Sequence, residues 1–425
     1  MGKFLDLAYL LAASATSPIW LSSMVRTGKI HTDWHARFGE GVDLPESTRP
    51  RILIHAVSVG EVNAMRLLVK ALAEDPSNPE IVIAATTDTG IRRAMELFSE
   101  SHHVVRYPFD ISVSVSGFLS RIRPDAVALM ELEVWPNFLE QCAQRDIPVV
   151  VVNGRLSARS HRKYQKILPV ARRIFSKIHT FAVQDDVYAQ RFADMGIDAD
   201  RVRITGNMKW DTAEIANHVP KSKELAAELG IDPSRPLVVA GSTCPHEHAL
   251  IHRAVGSHAQ LLVAPRKPEW FDHAVACLPG CVRRTDGHSG SSSGRFVLDT
   301  IGELRQAYAL ADVVVIGRTF SDLGGSDMIE PIALGKPVIV GPDCSNFADA
   351  TSRLLKAGGM VQCADSNLAE VINSLLHEPS TRESLVANGQ DCIRNQQGAT
   401  LENAKILCDV LSSHVNDQSG VGTNE

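Results

Sequence analysis

No P-loop occurs in this chain, and no Gly-x-Gly-x-x-Gly opens a first helix. The usual phosphate-loop and dinucleotide fingerprints are therefore missing. A His-Glu-x-x-His pair is absent too, as is any aspartate cluster with metal spacing. Asp185-Asp186 stands alone and reads as a helix cap. Positive charge is not in excess. Lys and Arg total 43 against 49 Asp and Glu, a net charge of −6, which argues against a nucleic-acid binder. The eight cysteines form no zinc-finger or redox pair, and Cys277 and Cys281 stand by themselves at four apart. That usage suits reduced thiols in a cytosolic compartment.

A clean membrane span is also lacking. The apolar run from Phe4 to Val25 is long enough to cross a bilayer, but Asp6, Pro18 and several Ser and Thr interrupt it. Lys3 precedes it, and Arg26, Lys29, His31, His35 and Arg37 follow. No convincing signal cleavage site is present. Residues 1–28 read either as a helix packed on the domain or as a membrane-associating anchor.

What the chain has in quantity is alternating strand and helix pattern. Its 425 residues, 44% hydrophobic and 22% charged, suggest two domains. Short apolar runs begin at Ile52, Ile81, Val104, Ala126, Val149, Phe181 and Val202. Asp211 to Pro236 is polar and helical in character and holds the expected linker. The runs then resume at Leu237, Gln260, Arg295, Val313, Val338 and Gly359. Continuous apolar strands between helices mark doubly wound parallel sheets, so the fold class is α/β with two Rossmann-like halves facing across a cleft. The expected domains are 29–215 and 216–410. The Ser/Gly run at 288–294 reads as a flexible loop and 411–425 as a disordered tail.

Most chemically able residues fall just after strand ends, where open α/β sheets bind ligands. The stretch Arg51-Ile-Leu-Ile-His55-Ala-Val-Ser58-Val-Gly60-Glu61 carries the first group. Ser58 and Gly60 suit a helix start, and Glu61 falls in the first turn. There it is either a charge favoured by the helix dipole or a base able to take a hydroxyl proton. Glu131, Glu133, Asn153 and Arg155 follow later strands. Arg155, Arg159, His161, Arg162, Lys163 and Lys166 form a basic cluster, either a solvated face or a site for an acidic substrate. Lys209 adjoins the linker, where a phosphate would suit it. In the second half, Gly324-Gly325 precedes Ser326 to Glu330. Paired glycines opening a helix with an early Glu read as phosphate and ribose binding, or as a tight turn. His55, at a strand end, is more often a core histidine than a catalyst. Trp135 reads as packing beneath the site.

In order, the pieces HAVSVGEVNA, TTDTG, YPFD, MELEVWPN, VVNGRLSARS, GNMKWD, AGSTCPHE, APRKPEWF, DTIGEL, GGSDMIEP and GPDCSNF resemble the 3-deoxy-D-manno-octulosonic acid (Kdo) transferases of lipid A biosynthesis. The resemblance runs from about Lys29 to Leu376. It implies a GT-B glycosyltransferase using CMP-Kdo as donor, with no cofactor or metal. The acceptor it implies is a lipid A precursor at the cytoplasmic face of the bacterial inner membrane, so an anionic membrane surface is an expected partner. The family's general base falls on Glu61, and residues supporting the transition state fall on Glu131 and Lys209. Its CMP contacts fall on Pro265, Arg266, Ile301, Gly302, Glu303, Asp327, Met328, Ile329 and Glu330. Acceptor contacts are expected from Ser58, Gly60, Arg155, Arg159 and Arg162. The family usually has His-Asn after the paired glycines, where Ser326 and Asp327 stand here. Arg318 replaces a small residue and is expected to offset the Asp327 charge. A nucleotide-sugar epimerase of the same architecture and a non-catalytic relative with an altered donor site are the rival readings.

Overall fold

Arg51–Ala56 is a strand with all six residues buried, and its side chains alternate between two cores. Ile52, Ile54 and Ala56 face one apolar layer and Leu53 the other, the period of two that a pleated strand imposes. A strand covered on both faces is mostly apolar, hence the run Ile52 to Ile54, while buried Arg51 is paired with Glu80 and His55 with Thr86. The computed structural model describes residues 32–216, 218–287 and 293–420, together with Asp6, Tyr9, Leu11, Thr16 and Arg26; side chains are described to residue 416.

Two units emerge, residues 1–212 with 397–425, and residues 213–396. The first holds a parallel sheet of β1 (Arg51–Ala56), β2 (Glu80–Ala85), β3 (His103–Arg106), β4 (Ala126–Met130), β5 (Val149–Gly154), β6 (Thr180–Val183) and β7 (Val202–Ile204). Its order is β3-β2-β1-β4-β5-β6-β7. The second holds β8 (Leu237–Thr243), β9 (Gln260–Pro265), β10 (Val282–Arg283), β11 (Arg295–Val297), β12 (Val313–Ile316), β13 (Val338–Val340) and β14 (Val361–Gln362). Its order is β10-β11-β9-β8-β12-β13-β14, again parallel throughout. Each reverses direction beside its first strand, which opens a ligand crevice at the strands' carboxyl ends.

The sequence pattern misses β10, a two-residue edge strand too short to show a period. The expected boundaries also change. The unit boundary falls after Thr212, and the chain re-enters the first unit at Gln397. A 22-residue helix, Ala399–Gly420, occupies most of what was assigned to the second domain's end and to a disordered tail. Ala404, Leu407, Cys408, Val410 and Leu411 are buried in one apolar cluster with residues of the helix Arg66–Ala73, β4 and β5. Asp211 accepts from Gly398 and Thr400 N–H at 2.6 and 2.5 Å, closing the helix start.

Most of the Phe4–Val25 segment lies outside the described residues. Asp6 accepts from Ser112 N–H at 3.0 Å and from Asn137 Nδ2 at 2.9 Å, and Tyr9 donates to Asp110 at 3.1 Å. At these two positions the segment is seated on the first unit. No described helix is long and apolar enough to cross a membrane. The loop at 288–292 also lies outside the described residues.

Candidate active site

At the carboxyl end of β1 the chain turns into the helix Val59–Ala64, with Ser58 as N-cap. Ser58 Oγ accepts from Glu61 N–H at 3.4 Å and donates to Glu61 Oε1 at 2.7 Å. Val57 N–H donates to Glu61 Oε2 at 2.9 Å. The Glu61 side chain thus reaches back past the cap to the Val57 N–H and to the Ser58 hydroxyl, and these two bonds fix the carboxylate's direction. Each oxygen receives one bond and keeps a lone pair. Gly60 is exposed on the same turn.

Glu131 follows β4 and adopts φ of +58°, held by its N–H bond to Val152. Burial raises its carboxyl pKa; Arg155, 3.7 Å away, and Lys209 pull it down, while Glu61 pushes it up. Glu133, two residues on, is raised to about 7 by burial and then by Glu61 and Glu131. Three carboxyls thus share one field. The sequence placed Glu133 at a strand end without a role; its signal was the Glu-x-Glu spacing after an apolar strand.

Lys209 sits on a loop pinned from below. Asn153, at φ +53°, accepts from Met208 N–H at 3.0 Å, and its own N–H donates to Asn403 at 3.1 Å. Asn403 also donates to Thr205 at 3.0 Å. Met208 and Trp210 are fully buried on either side of Lys209, so the loop has little freedom. The helix Ala158–Gln165 buries no residue, leaving Arg159, Arg162, Lys163 and Lys166 exposed; Arg155 is also exposed. His161 instead turns toward Asp194 at 3.6 Å.

His55 is fully buried, stacked on Tyr107 at 3.8 Å, with Nε2 2.9 Å from Thr86 Oγ1. Burial lowers its pKa to about 3, so the ring is a neutral core group. Trp135 packs half-buried against the same core and lies 6.1 Å from the Tyr107 ring.

In the second unit, Pro265 ends β9 and Arg266 N–H donates to Thr243 at 3.0 Å. Ile301 is 70% exposed, and Gly302 takes φ of +101°. Glu303 caps the helix Leu304–Leu310 and accepts from Arg284 at 3.2 Å and from Thr300. Glu330 lies in the first turn of the helix Ile329–Ala333, 3.5 Å from Arg305. Burial and Asp327 raise its pKa, against Arg305. Burial, then the charges of Glu330 and Asp327, push the Tyr308 phenol pKa up, and Arg266 opposes them. Tyr308 and Arg305 were not singled out from the sequence, because an isolated Tyr or Arg on a short helix carries no motif.

The glycine pair does not open a helix with free N–H groups. Gly324 N–H donates to Asp343 at 2.8 Å and Gly325 N–H to the Arg318 carbonyl at 2.8 Å. Both serve a tight turn, and the helix begins at Ile329 after Met328. Asp327 accepts from Ile329 N–H at 2.8 Å. The Arg318 guanidinium is drawn to the Gly325 carbonyl.

Residues 32–212 match the family model of 3-deoxy-D-manno-octulosonic-acid transferase (kdotransferase). A 3-deoxy-D-manno-octulosonic acid transferase of Haemophilus influenzae is 32% identical, covering 86% of this chain and 88% of that one. The enzyme of the same name from Bordetella pertussis is 31% identical over 95% of this chain and 99% of its own. Among solved structures, a glycosyltransferase from Rickettsia africae aligns with a TM-score of 0.59 at 12% identity, covering 86% of this chain and 99% of that one. That likeness shows the shared two-domain GT-B fold.

Proposed function

The chain belongs to the 3-deoxy-D-manno-octulosonic acid transferase family, and from that premise we propose that it transfers Kdo from CMP-Kdo to a lipid A precursor with inversion and without a metal. The observation that carries the reading is the Glu61 carboxylate, aimed by Val57 and Ser58 at a strand's carboxyl end. Glu61 takes the proton of a glucosamine hydroxyl. That oxygen forms the new bond to the anomeric carbon of Kdo as the bond to CMP breaks. Glu131 and Lys209 support the charge that develops, and Arg266 offsets the departing phosphate; such preorganised charge is usually the largest catalytic term. Glu330 and Glu303 are assigned to the nucleotide's hydroxyls. The altered glycine turn leaves phosphate recognition to side chains.

Arg155, Arg159 and Arg162 are assigned to the acceptor's phosphates. The same exposed basic face suits the anionic cytoplasmic leaflet of the inner membrane. Flotation with vesicles containing acidic phospholipid checks this: charge reversal at Arg159 and Arg162 should reduce the bound fraction, and an unchanged fraction removes that face from membrane binding. The main test is direct. Purified protein, CMP-Kdo and a tetraacylated lipid A precursor should give a Kdo-bearing lipid by mass. CMP-Kdo consumed without lipid product, or a nucleotide sugar epimerised without acceptor, would overturn the assignment.

A further inference from the structure

Two helices of the second unit, Pro245–Val255 and Phe271–Cys277, bring His248, His273 and Cys277 together. Their donor atoms all lie within 4.8 Å of one another. His248 Nδ1 faces His273 Nδ1 at 3.0 Å, and Cys277 Sγ lies 3.7 Å from that same His273 nitrogen. His273 and Cys277 are one helical turn apart and share a face. A tetrahedral zinc ion, with Zn–N of about 2.0–2.1 Å and Zn–S of about 2.3 Å, separates two nitrogens by roughly 3.3 Å and a nitrogen from a sulfur by roughly 3.6 Å. The observed spacings stand close to both values.

We propose that His248 Nδ1, His273 Nδ1 and Cys277 Sγ form a binding site for a borderline divalent cation, Zn²⁺, with its fourth position open to water. Two imidazoles and a thiolate favour zinc over the hard ions magnesium and calcium. His248 is buried, Cys277 half-buried and His273 exposed, so the ion enters from solvent onto a fixed inner ligand. The other ring nitrogen of His248 lies 3.0 Å from Thr243 Oγ1. With Nε2–H donating to that hydroxyl, Nδ1 carries the lone pair, which is the outer-shell arrangement that orients a metal-ligating histidine. Binding displaces the Cys277 thiol proton to solvent.

The ion ties the helix after β8 to the helix after β9. Thr243 also accepts from Arg266 N–H at 3.0 Å, so the site braces the loop that presents Arg266. It takes no part in the transfer chemistry assigned above.

The test uses the full chain, stripped with a chelator and titrated with Zn²⁺ against a chromophoric chelator, and separately with Co²⁺. Wild type should take up one Zn²⁺ per chain and show a thiolate-to-cobalt charge-transfer band. His273 is exposed and Cys277 only borders the core, and Cys277→Ser keeps its size, so both variants, His273→Ala and Cys277→Ser, should keep the wild-type circular dichroism. Each should lose at least about tenfold in zinc affinity, the lower end of what removing even an outer-shell partner costs. Cys277→Ser should also lose the cobalt band. No stoichiometric uptake by wild type, or equal affinity in wild type and both variants, would show that the two histidines merely share a hydrogen bond. A cobalt band that survives Cys277→Ser would place the thiolate elsewhere and sink the proposal.

Discussion

At the scale of single residues, the helix-start role of Glu61 and the base role proposed for it separate by cost. Its carboxylate accepts from Val57 N–H and Ser58 at a helix start; as the proposed base it uses the remaining lone pairs. Glu61→Gln keeps an amide oxygen for Val57 N–H, and Ser58 can rotate to accept from the new NH₂. The fold should lose only about 0.3–1 kcal/mol. Turnover should fall roughly 100-fold or more, because the amide cannot take the hydroxyl proton. Near-normal turnover in Glu61→Gln, paired with a large loss in His55→Ala beyond its stability cost, would move the base to His55. Glu133 gives a pH signature. Its carboxyl is raised to about 7 by burial, Glu61 and Glu131. Between an unfolded value of about 4.3 and that folded value, the native state holds more protons than the unfolded one. Stability from this group is therefore fully present at low pH and falls as pH rises to about 7. Glu133→Gln should remove the fall, so the melting temperature of the variant minus that of wild type should grow from pH 5 to pH 8. A difference that stays flat would mean the carboxyl ionises normally in the fold. On the donor side, Glu330→Ala should weaken CMP binding by roughly tenfold or more, since a hydrogen bond to a charged partner contributes about 1.5–3 kcal/mol. Calorimetry with equal affinities would take Glu330 out of the site.

At the scale of elements, the short loops that hold these residues are tied by buried polar side chains. Glu247, at 0% exposure, accepts from Cys244 N–H at 3.0 Å, from Arg318 N–H at 2.7 Å and from Phe320 N–H at 3.0 Å. One carboxylate thus starts the helix Pro245–Val255 and fixes the turn after β12, where Arg318 holds φ of +62°. Glu247→Ala would strand three buried donors at about 1–3 kcal/mol each, so denaturant melts should show a loss of at least about 3 kcal/mol. A loss below about 1 kcal/mol would mean that water replaces the carboxylate. Asp110 plays a similar part in the first unit, accepting from Asn137 and Phe138 N–H at 3.1 and 2.8 Å where the helix Pro136–Gln144 has no cap of its own.

At the scale of the whole molecule, the first unit is completed by the last helix of the chain. Val410, Leu407 and Leu411 are 8%, 0% and 1% exposed there. Burying each contributes about 1.5–3 kcal/mol, so together they approach the 5–15 kcal/mol that typically separates folded from unfolded domains. Removing residues 397–425 should therefore unfold or strongly destabilise the first unit. CMP binding should persist, because the second sheet lies wholly within residues 213–396. Two melting transitions, with only the first shifted and nucleotide still stabilising the second, are the expected calorimetric record. Loss of CMP binding in the shortened chain would show that the nucleotide site needs the C-terminal helix.

The strands were legible in the sequence because burial on both faces favours a continuous apolar run, as in Val149–Val152 and Val313–Ile316. The helix start at Ser58 and Glu61 was legible for a local reason: the two are three residues apart, and their hydrogen bonds need nothing further away. Residues 399–410 fall in the first unit rather than the second, and 411–420 continue the same helix; nothing local states which unit their apolar side chains pack into. The glycine pair allowed both a phosphate cradle and a turn, and its spacing alone did not choose. Gly324 and Gly325 permit positive φ, but Asp343 and the Arg318 carbonyl take their N–H groups, and both partners were brought there by separate strands. Local spacing fixes caps and periods over a few residues. Only the tertiary structure decides which distant donor meets which acceptor, as with Asn153 and Asn403, 250 positions apart, whose bond helps hold Lys209 in place.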